Sequence, residues 1–295
     1  MNILTIIKDL EQTFPTTITN EFINSMTRTE LTQSHKDIPY SKYLQKAMTK
    51  IPQEDLDFIN KGPVDPKKAL SIVNAKEMLN DGYLEIENGY CVMENGTGFS
   101  ASKVFMPNVT PKMIDWWFNW HVLEDVRYKI WCPVGHVGIS AKEPHLHLDS
   151  SNIPLNQRNI GRTHYPIEGF DIKGATQVEI KFYPPSVLGI TPHMFKNSSI
   201  ATFEIATCKN VSPNIPINVF FHAIREVEGG IEFRSRYWGR YTIKNNKIAK
   251  SNIPLPKNIT LALARNNCIH SLIEYNHLSA ILPHIYAEYN GKIIS

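Results

Sequence analysis

The spacing of apolar residues changes near residue 80, and the change separates two styles of structure. Residues 1–80 read as helical and polar. The opening MNILTIIKDLEQTF sets Ile3, Leu4, Ile6, Ile7 and Leu10 among Lys8, Asp9 and Glu11, the pattern of an amphipathic helix. It carries no basic leader and no small-residue cleavage site, so it is not read as a signal peptide. Residues 41–50 form a second short helix candidate. A third opens at Asp65-Pro66, where Asp caps and Pro takes the first helical position, with Leu70, Val73 and Leu79 on one side.

Beyond residue 82 the pattern alternates. Residues 83–87 and 90–94 flank Asn88-Gly89, a hairpin signal, and Asn95-Gly96-Thr97-Gly98 makes another turn before 99–105. Thr110 and Pro111 then open a helix, PKMIDWWFNWHVLEDVRY, which holds three of the five tryptophans. Residues 130–162 are rich in Pro, Asn, Ser and Gly, include His136, His145 and His147, and read as a long irregular excursion. Strands follow at 177–183, 200–208, 217–227 and 231–243, the last two joined through Glu228-Gly229-Gly230. Residues 261–289 are helical, interrupted at most by Pro283. Strands closed by one long helix predict an α+β fold, a curved antiparallel sheet wrapped around the C-terminal helix. The domain expectation is an N-terminal helical region over 1–80 and a second domain over 81–295.

Composition narrows the function classes. With 42% apolar and 20% charged residues the chain can build a packed core. Its net charge of +3 is spread without a basic block, which argues against a nucleic-acid partner. The four cysteines are scattered with no CxxC pair, so neither a four-thiolate zinc site nor a disulfide framework is expected. No run of about 18 apolar residues exists, so no membrane-spanning helix is expected, and the cytoplasm is the default compartment.

Three places carry candidate chemistry. His270 and Glu274 stand four apart on the C-terminal helix, on one face, where they can share a metal ion or form a surface hydrogen bond. Trp117, His121 and Glu124 follow an i, i+4, i+7 stripe, which also suits an aromatic core with a satisfied histidine. Glu168, in the run Gly161–Asp171, is either a site carboxylate or an exposed loop acid.

The order of these motifs is more specific than any one of them. The helix Met113–His121, then Arg127-Tyr128-Lys129-Ile130-Trp131 with Pro133 and His136, then Thr163-His164 with Glu168, then Ser235–Trp238, then His270 and Glu274 with Leu282-Pro283 resembles the 2,4-diacetylphloroglucinol/phloretin hydrolase family over roughly residues 83–290. The resemblance implies a helix-grip (Bet v1/START-like) fold, with the N-terminal helical region used in homodimer contacts. It implies one Zn²⁺ held by His121, Glu168, His270 and Glu274, with Glu124 and Glu143 as competitors for the Glu168 place. Iron or manganese would also accept two imidazoles and two carboxylates. The implied reaction is hydrolysis of the carbon–carbon bond between an acyl group and a phloroglucinol ring, with a small acylated phenol as substrate. Proton-transfer candidates are Tyr128, His136, His277 and Glu124, and His222 could face the same cavity. Two rival readings are a non-haem iron oxygenase and a non-enzymatic carrier of a hydrophobic ligand.

Overall fold

A computed structural model of the chain describes residues 14–144, 147 and 152–292. The amphipathic stretch read at residues 1–13, and His145, lie outside the described residues. Eight strands form one antiparallel sheet: β1 (Gly89–Val92), β2 (Gly98–Pro107), β3 (His136–Ala141), β4 (Thr163–Glu168), β5 (Thr176–Phe182), β6 (Ile200–Asn210), β7 (Ile215–Val227) and β8 (Gly230–Gly239). Their order is β1-β2-β8-β7-β6-β5-β4-β3, so β1 and β3 are the edges. A small separate pair, β9 (Tyr241–Lys244) and β10 (Lys247–Lys250), completes the strands among the described residues. The result is mixed, with a large antiparallel sheet and a long C-terminal helix, as the pattern predicts.

Turn chemistry sets the hairpins. β1 and β2 join at Asn95-Gly96, where Gly96 takes a φ of +78° and the Asn95 side chain accepts the Thr97 N–H at 3.1 Å. β7 and β8 join at Gly229, with a φ of +79°. The hairpin expected at Asn88-Gly89 does not form, because side chains claim the residues before β1. Glu87 is bound by Arg234 and Arg236, and the Asn88 side-chain carbonyl accepts the Lys103 N–H at 2.6 Å.

Among the helices, α1 (Gln53–Asn60) lies in the N-terminal region, where the segments expected at 41–50 and from 65 onward are the 3-10 helices Pro39–Gln45 and Ile72–Leu79. α2 (Pro111–Trp120) starts as read, with Thr110 accepting the Met113 N–H and Pro111 in the first turn. The single helix expected to continue through Tyr128 is broken. His121–Leu123 is a 3-10 turn, Glu124 is extended with φ −161°, and α3 (Asp125–Trp131) begins after it. The Glu124 carboxylate accepts from Tyr40 and Arg127, which compensates the break. β3 falls inside the stretch expected to be irregular. It pairs on one side only and carries a bulge between His136 and Gly138, so its alternation is short.

α4 (Lys257–Tyr289) runs 33 residues, with Pro283 accommodated inside it. It packs along β1 and β2 and touches β8. Ile269, Leu272, Leu278 and Ile281 on α4 close over Val104 and Phe233 of the sheet, in a core that also takes in Ile18, Ile23, Tyr40 and Ile51 from the N-terminal residues. The opposite sheet face carries its own core, with Phe99, Phe221 and Trp238 beneath Ile72, Met78 and Leu188. Each such fully buried side chain contributes about 1.5–3 kcal/mol. With both faces covered, polar side chains on the strands are buried and need partners. Among the described residues no helix is long and apolar enough to cross a membrane.

Candidate metal centre

α4 presents His270 and Glu274 one turn apart, at the end of the sheet where β3 and β4 form the edge. The β3–β4 register sets His136 directly opposite Glu168. Glycine makes the approach possible: a Cβ on Gly135 would lie 2.8 Å from His270 Cε1 and 2.8 Å from the Gly169 carbonyl oxygen. The backbone is tied there, Gly169 N–H donating to the Gly135 carbonyl at 3.0 Å.

Three of these side chains converge, and Glu168 stands against one of them. His136 Nε2 stands 3.5 Å from Glu274 Oε2 and 3.9 Å from Glu168 Oε2. His270 Nε2 is 3.8 Å from the same Glu274 oxygen. His136, His270 and Glu274 each offer a ligand atom within 4.8 Å of the others. Donor atoms around one tetrahedral ion with bonds near 2.0–2.1 Å sit about 3.3 Å apart, so His136, His270 and Glu274, within 4.8 Å of one another, would draw together by up to about 1.5 Å to close on one ion. Burial is deep, and Glu168 (22% exposed) and His270 (15%) are the members that reach toward solvent.

The tautomer of His136 is fixed from behind. Its Nδ1–H donates to the Tyr128 carbonyl at 3.1 Å, and the Tyr128 ring stacks on it at 3.9 Å between centroids. The Nε2 lone pair therefore faces the carboxyls, and it is buried without a hydrogen-bond partner. A ring nitrogen held by a carbonyl while the other is left free is how proteins orient a metal-binding imidazole. The Tyr128 hydroxyl turns to Glu168 and donates to its carboxyl in a short hydrogen bond.

Electrostatics point the same way. Burial pushes the Glu274 carboxyl well above its ordinary range, and neighbouring Glu168 pushes it further. Glu168 is raised by burial, opposed by the Tyr128 hydroxyl. Burial drives His136 well below the usual imidazole value, helped by His270, and takes His270 down to about 4. Two carboxyls that cannot easily ionise beside two neutral imidazoles lack a cation, and a divalent ion would supply it. The residues fit a metal.

The other sequence candidates are placed elsewhere. His121 is not in this group: its Nδ1–H donates to the Trp117 carbonyl at 2.8 Å, and its ring is enclosed by Trp117, Phe118, Tyr128 and Trp131. The end of α2 aims it into the aromatic core, and burial holds it down to about 3. Glu124 binds Tyr40 and Arg127 and so fastens the N-terminal residues, and Glu143 is exposed after β3. His277 lies one turn beyond Glu274 but receives the Thr49 N–H on Nδ1 at 3.3 Å. His222 faces inward from β7, pairing with Ser235 Oγ at 2.9 Å and with the Tyr275 hydroxyl at 3.1 Å. Tyr237, unremarked in the sequence beyond its motif, donates to Ser271 at 3.2 Å, beside His270. A buried pair, His147 and His164, meets Nε2 to Nε2 at 3.2 Å away from the group.

Fold and site together define an α+β protein with a buried group, His136, His270 and Glu274, that could hold a metal ion. The chain belongs to the DAPG hydrolase PhiG domain family, which matches residues 70–287. It is 30% identical over 262 residues to phloretin hydrolase of Eubacterium ramulus, covering 87% of this chain and 92% of that protein. It is 26% identical over 269 residues to 2,4-diacetylphloroglucinol hydrolases of Pseudomonas sp and of Pseudomonas protegens, covering 85% of this chain and 88% and 84% of theirs. The chain is thus a member of an enzyme family of hydrolases.

Proposed function

We propose that the protein is a zinc-dependent hydrolase that cleaves the carbon–carbon bond between an acyl group and a phloroglucinol ring. The convergence of His136, His270 and Glu274, with Glu168 3.9 Å from His136, carries this reading, and His136 stands in the place that the family resemblance gave to His121. The named relatives act on phloretin and on 2,4-diacetylphloroglucinol, and the substrate class is carried over from them. Family membership favours hydrolysis over the oxygenase and carrier readings.

A bound Zn²⁺ would supply Lewis-acid polarisation of the acyl carbonyl and a water acidified for attack. In the overall reaction, water adds to the acyl carbon, and the bond to the ring breaks with its electron pair leaving on the ring carbon. That carbon takes a proton, giving a carboxylic acid and the free phenol. The ring oxygens spread the departing charge. Tyr128 keeps its proton at neutral pH, because burial and the Glu168 charge raise its hydroxyl far above the ordinary value. Its Oη–H is the acid placed beside the carboxyls, and it is assigned to protonate the leaving carbon. His136 acts as ligand rather than acid, and His277 and Glu124 serve packing and docking. A row of inward residues, Phe182, Ala206, Phe220 and Tyr237, packs the ring.

The finer architecture follows the same reading. The packing of α4 along β1 and β2 supports a helix-grip fold, and the described residues of the N-terminal region, packed into the same core, support reading it as a helical cap on the domain that follows. A homodimer is part of the proposal through the family resemblance, and the cytoplasm as the default compartment. Mass spectrometry of products from diacetylphloroglucinol and from phloretin, with and without chelator, tests the function. Chelator-sensitive release of the acyl acid and the deacylated phenol is expected. Absence of cleavage in folded, zinc-loaded protein would overturn it.

A further inference from the structure

A set of hydroxyls lies between the sheet and α4 beside the metal group, and the proposed reaction makes no use of it. The register lines up Ser102 of β2, Ser235 of β8 and His222 of β7 across the inner face. On α4, Ser271 follows His270 and Tyr275 follows Glu274. His222 Nδ1 meets Ser235 Oγ at 2.9 Å, and its Nε2 meets the Tyr275 hydroxyl at 3.1 Å. Ser235 and Tyr275 also hydrogen bond the Tyr237 hydroxyl, which closes a ring of four side chains. Tyr237 sends its own proton out of that ring, to Ser271 Oγ at 3.2 Å, and Ser102 Oγ holds Ser271 from the sheet side at 2.7 Å. All six side chains are buried.

The protons in this set can be counted. Burial takes His222 down to about 3, so it is neutral and one of its nitrogens is bare. If Nδ1 carries the proton, it donates to Ser235, Ser235 donates to Tyr237, and Tyr275 donates to Nε2. If Nε2 carries it, it donates to Tyr275, Tyr275 donates to Tyr237, and Ser235 donates to Nδ1. In either tautomer the Tyr237 oxygen accepts one hydrogen bond from the ring and gives its proton to Ser271. One lone pair is left over, and no proton. We propose, resting on the hydrolase reading with Tyr237 against the substrate ring, that Ser271 is a positioning residue that sets the polarity of this contact. By holding the Tyr237 proton, it makes Tyr237 select a ring with a free hydroxyl at that position and reject the same ring capped as a methyl ether. An ether oxygen facing the Tyr237 lone pair would leave two buried acceptors with no proton between them. Without Ser271 the Tyr237 proton is released and can turn to serve the ether.

The test compares an acylphloroglucinol with each of its mono-O-methyl ethers on zinc-loaded protein. The wild type is expected to prefer the free phenol over one of the ethers by roughly 10²-fold or more in kcat/KM. Ser271→Ala, checked for unchanged unfolding temperature and zinc content, should lower that preference by roughly tenfold, chiefly through KM. Ser102→Ala, which loosens Ser271 without altering α4, should move it the same way by a smaller factor. In a Tyr237→Phe background, Ser271→Ala should change the preference by less than about twofold, because its effect runs through the Tyr237 hydroxyl. A wild type that cleaves phenol and ethers alike would overturn the proposal and leave the hydrolase reading intact. So would a preference that both serine variants leave unchanged, or that Ser271→Ala lowers equally with and without the Tyr237 hydroxyl. A wild type that cleaves none of these ketones would sink the hydrolase reading itself, and the role of Ser271 with it.

Discussion

Two buried clusters of charge-bearing side chains sit on opposite faces of the same sheet, and burial acts on them in opposite directions. On one face Glu87 meets Arg234 at 2.6 Å and Arg236 at 2.9 Å. Burial alone would raise its carboxyl, but the two guanidiniums, Arg236 foremost, hold it at about 2. At the metal group Glu274 is also buried, but its neighbours are Glu168 and two neutral imidazoles, and its carboxyl is pushed well above the ordinary range. The first cluster contains its own countercharge; the second is complete only with a cation from outside. That contrast separates a structural ion pair from a metal site more clearly than burial, which the two share.

Substitutions can break the contrast at either end. The largest effect is expected from Glu274→Ala, which should lose bound metal and reduce turnover at least about 10³-fold, read by metal analysis and product formation. Retention of full metal content would remove the central assignment. Next comes Glu87→Gln, which leaves two buried guanidiniums short of countercharge. It should cost about 3–5 kcal/mol in denaturant unfolding with metal content intact.

Tyr128→Phe sharpens the contrast within the site. It removes the hydroxyl that donates to Glu168 but leaves the carbonyl that fixes His136. A loss of roughly 10²-fold or more in kcat is expected with zinc still bound, and loss of zinc instead would make the hydroxyl structural. The smallest effect concerns Glu204, buried against the Asn159 amide at 2.7 Å and pushed up to about 8 by burial. Its folded pKa exceeds the unfolded value, so the folded state binds the extra proton. The stability it lends is complete below about pH 4.5 and is lost as pH rises through about 8. The loss is at most about 1.4 kcal/mol for each pH step of one between those limits. The urea midpoint of the wild type should fall between about pH 6 and about pH 9, and Glu204→Gln should flatten that slope. An unchanged slope would mean that another group titrates.

What the sequence disclosed follows the range of the interactions. The Thr110 cap, the Asn95-Gly96 turn and the His270–Glu274 spacing depend on neighbours within a few residues, and all three are present. The pairing of His136 with Glu168 depends on the register of the edge strand β3 on β4, about thirty residues apart and bulged, and no local pattern encodes it. His121 and His136 therefore look alike as candidates. Their difference lies in what each Nδ1 meets and where Nε2 is left to point, which is a property of the assembled core. The failure of the hairpin expected at Asn88-Gly89 has the same origin, since Arg234 and Arg236 come from nearly 150 residues away to claim Glu87.

The measurement that bears most directly on the metal centre is the zinc stoichiometry of purified His136→Ala beside His121→Ala, both checked for folding. One zinc per chain is expected in the wild type and in His121→Ala, and none in His136→Ala. Zinc retained by His136→Ala and lost from His121→Ala would contradict the assignment, and would return the second imidazole ligand to the helix where the family resemblance places it.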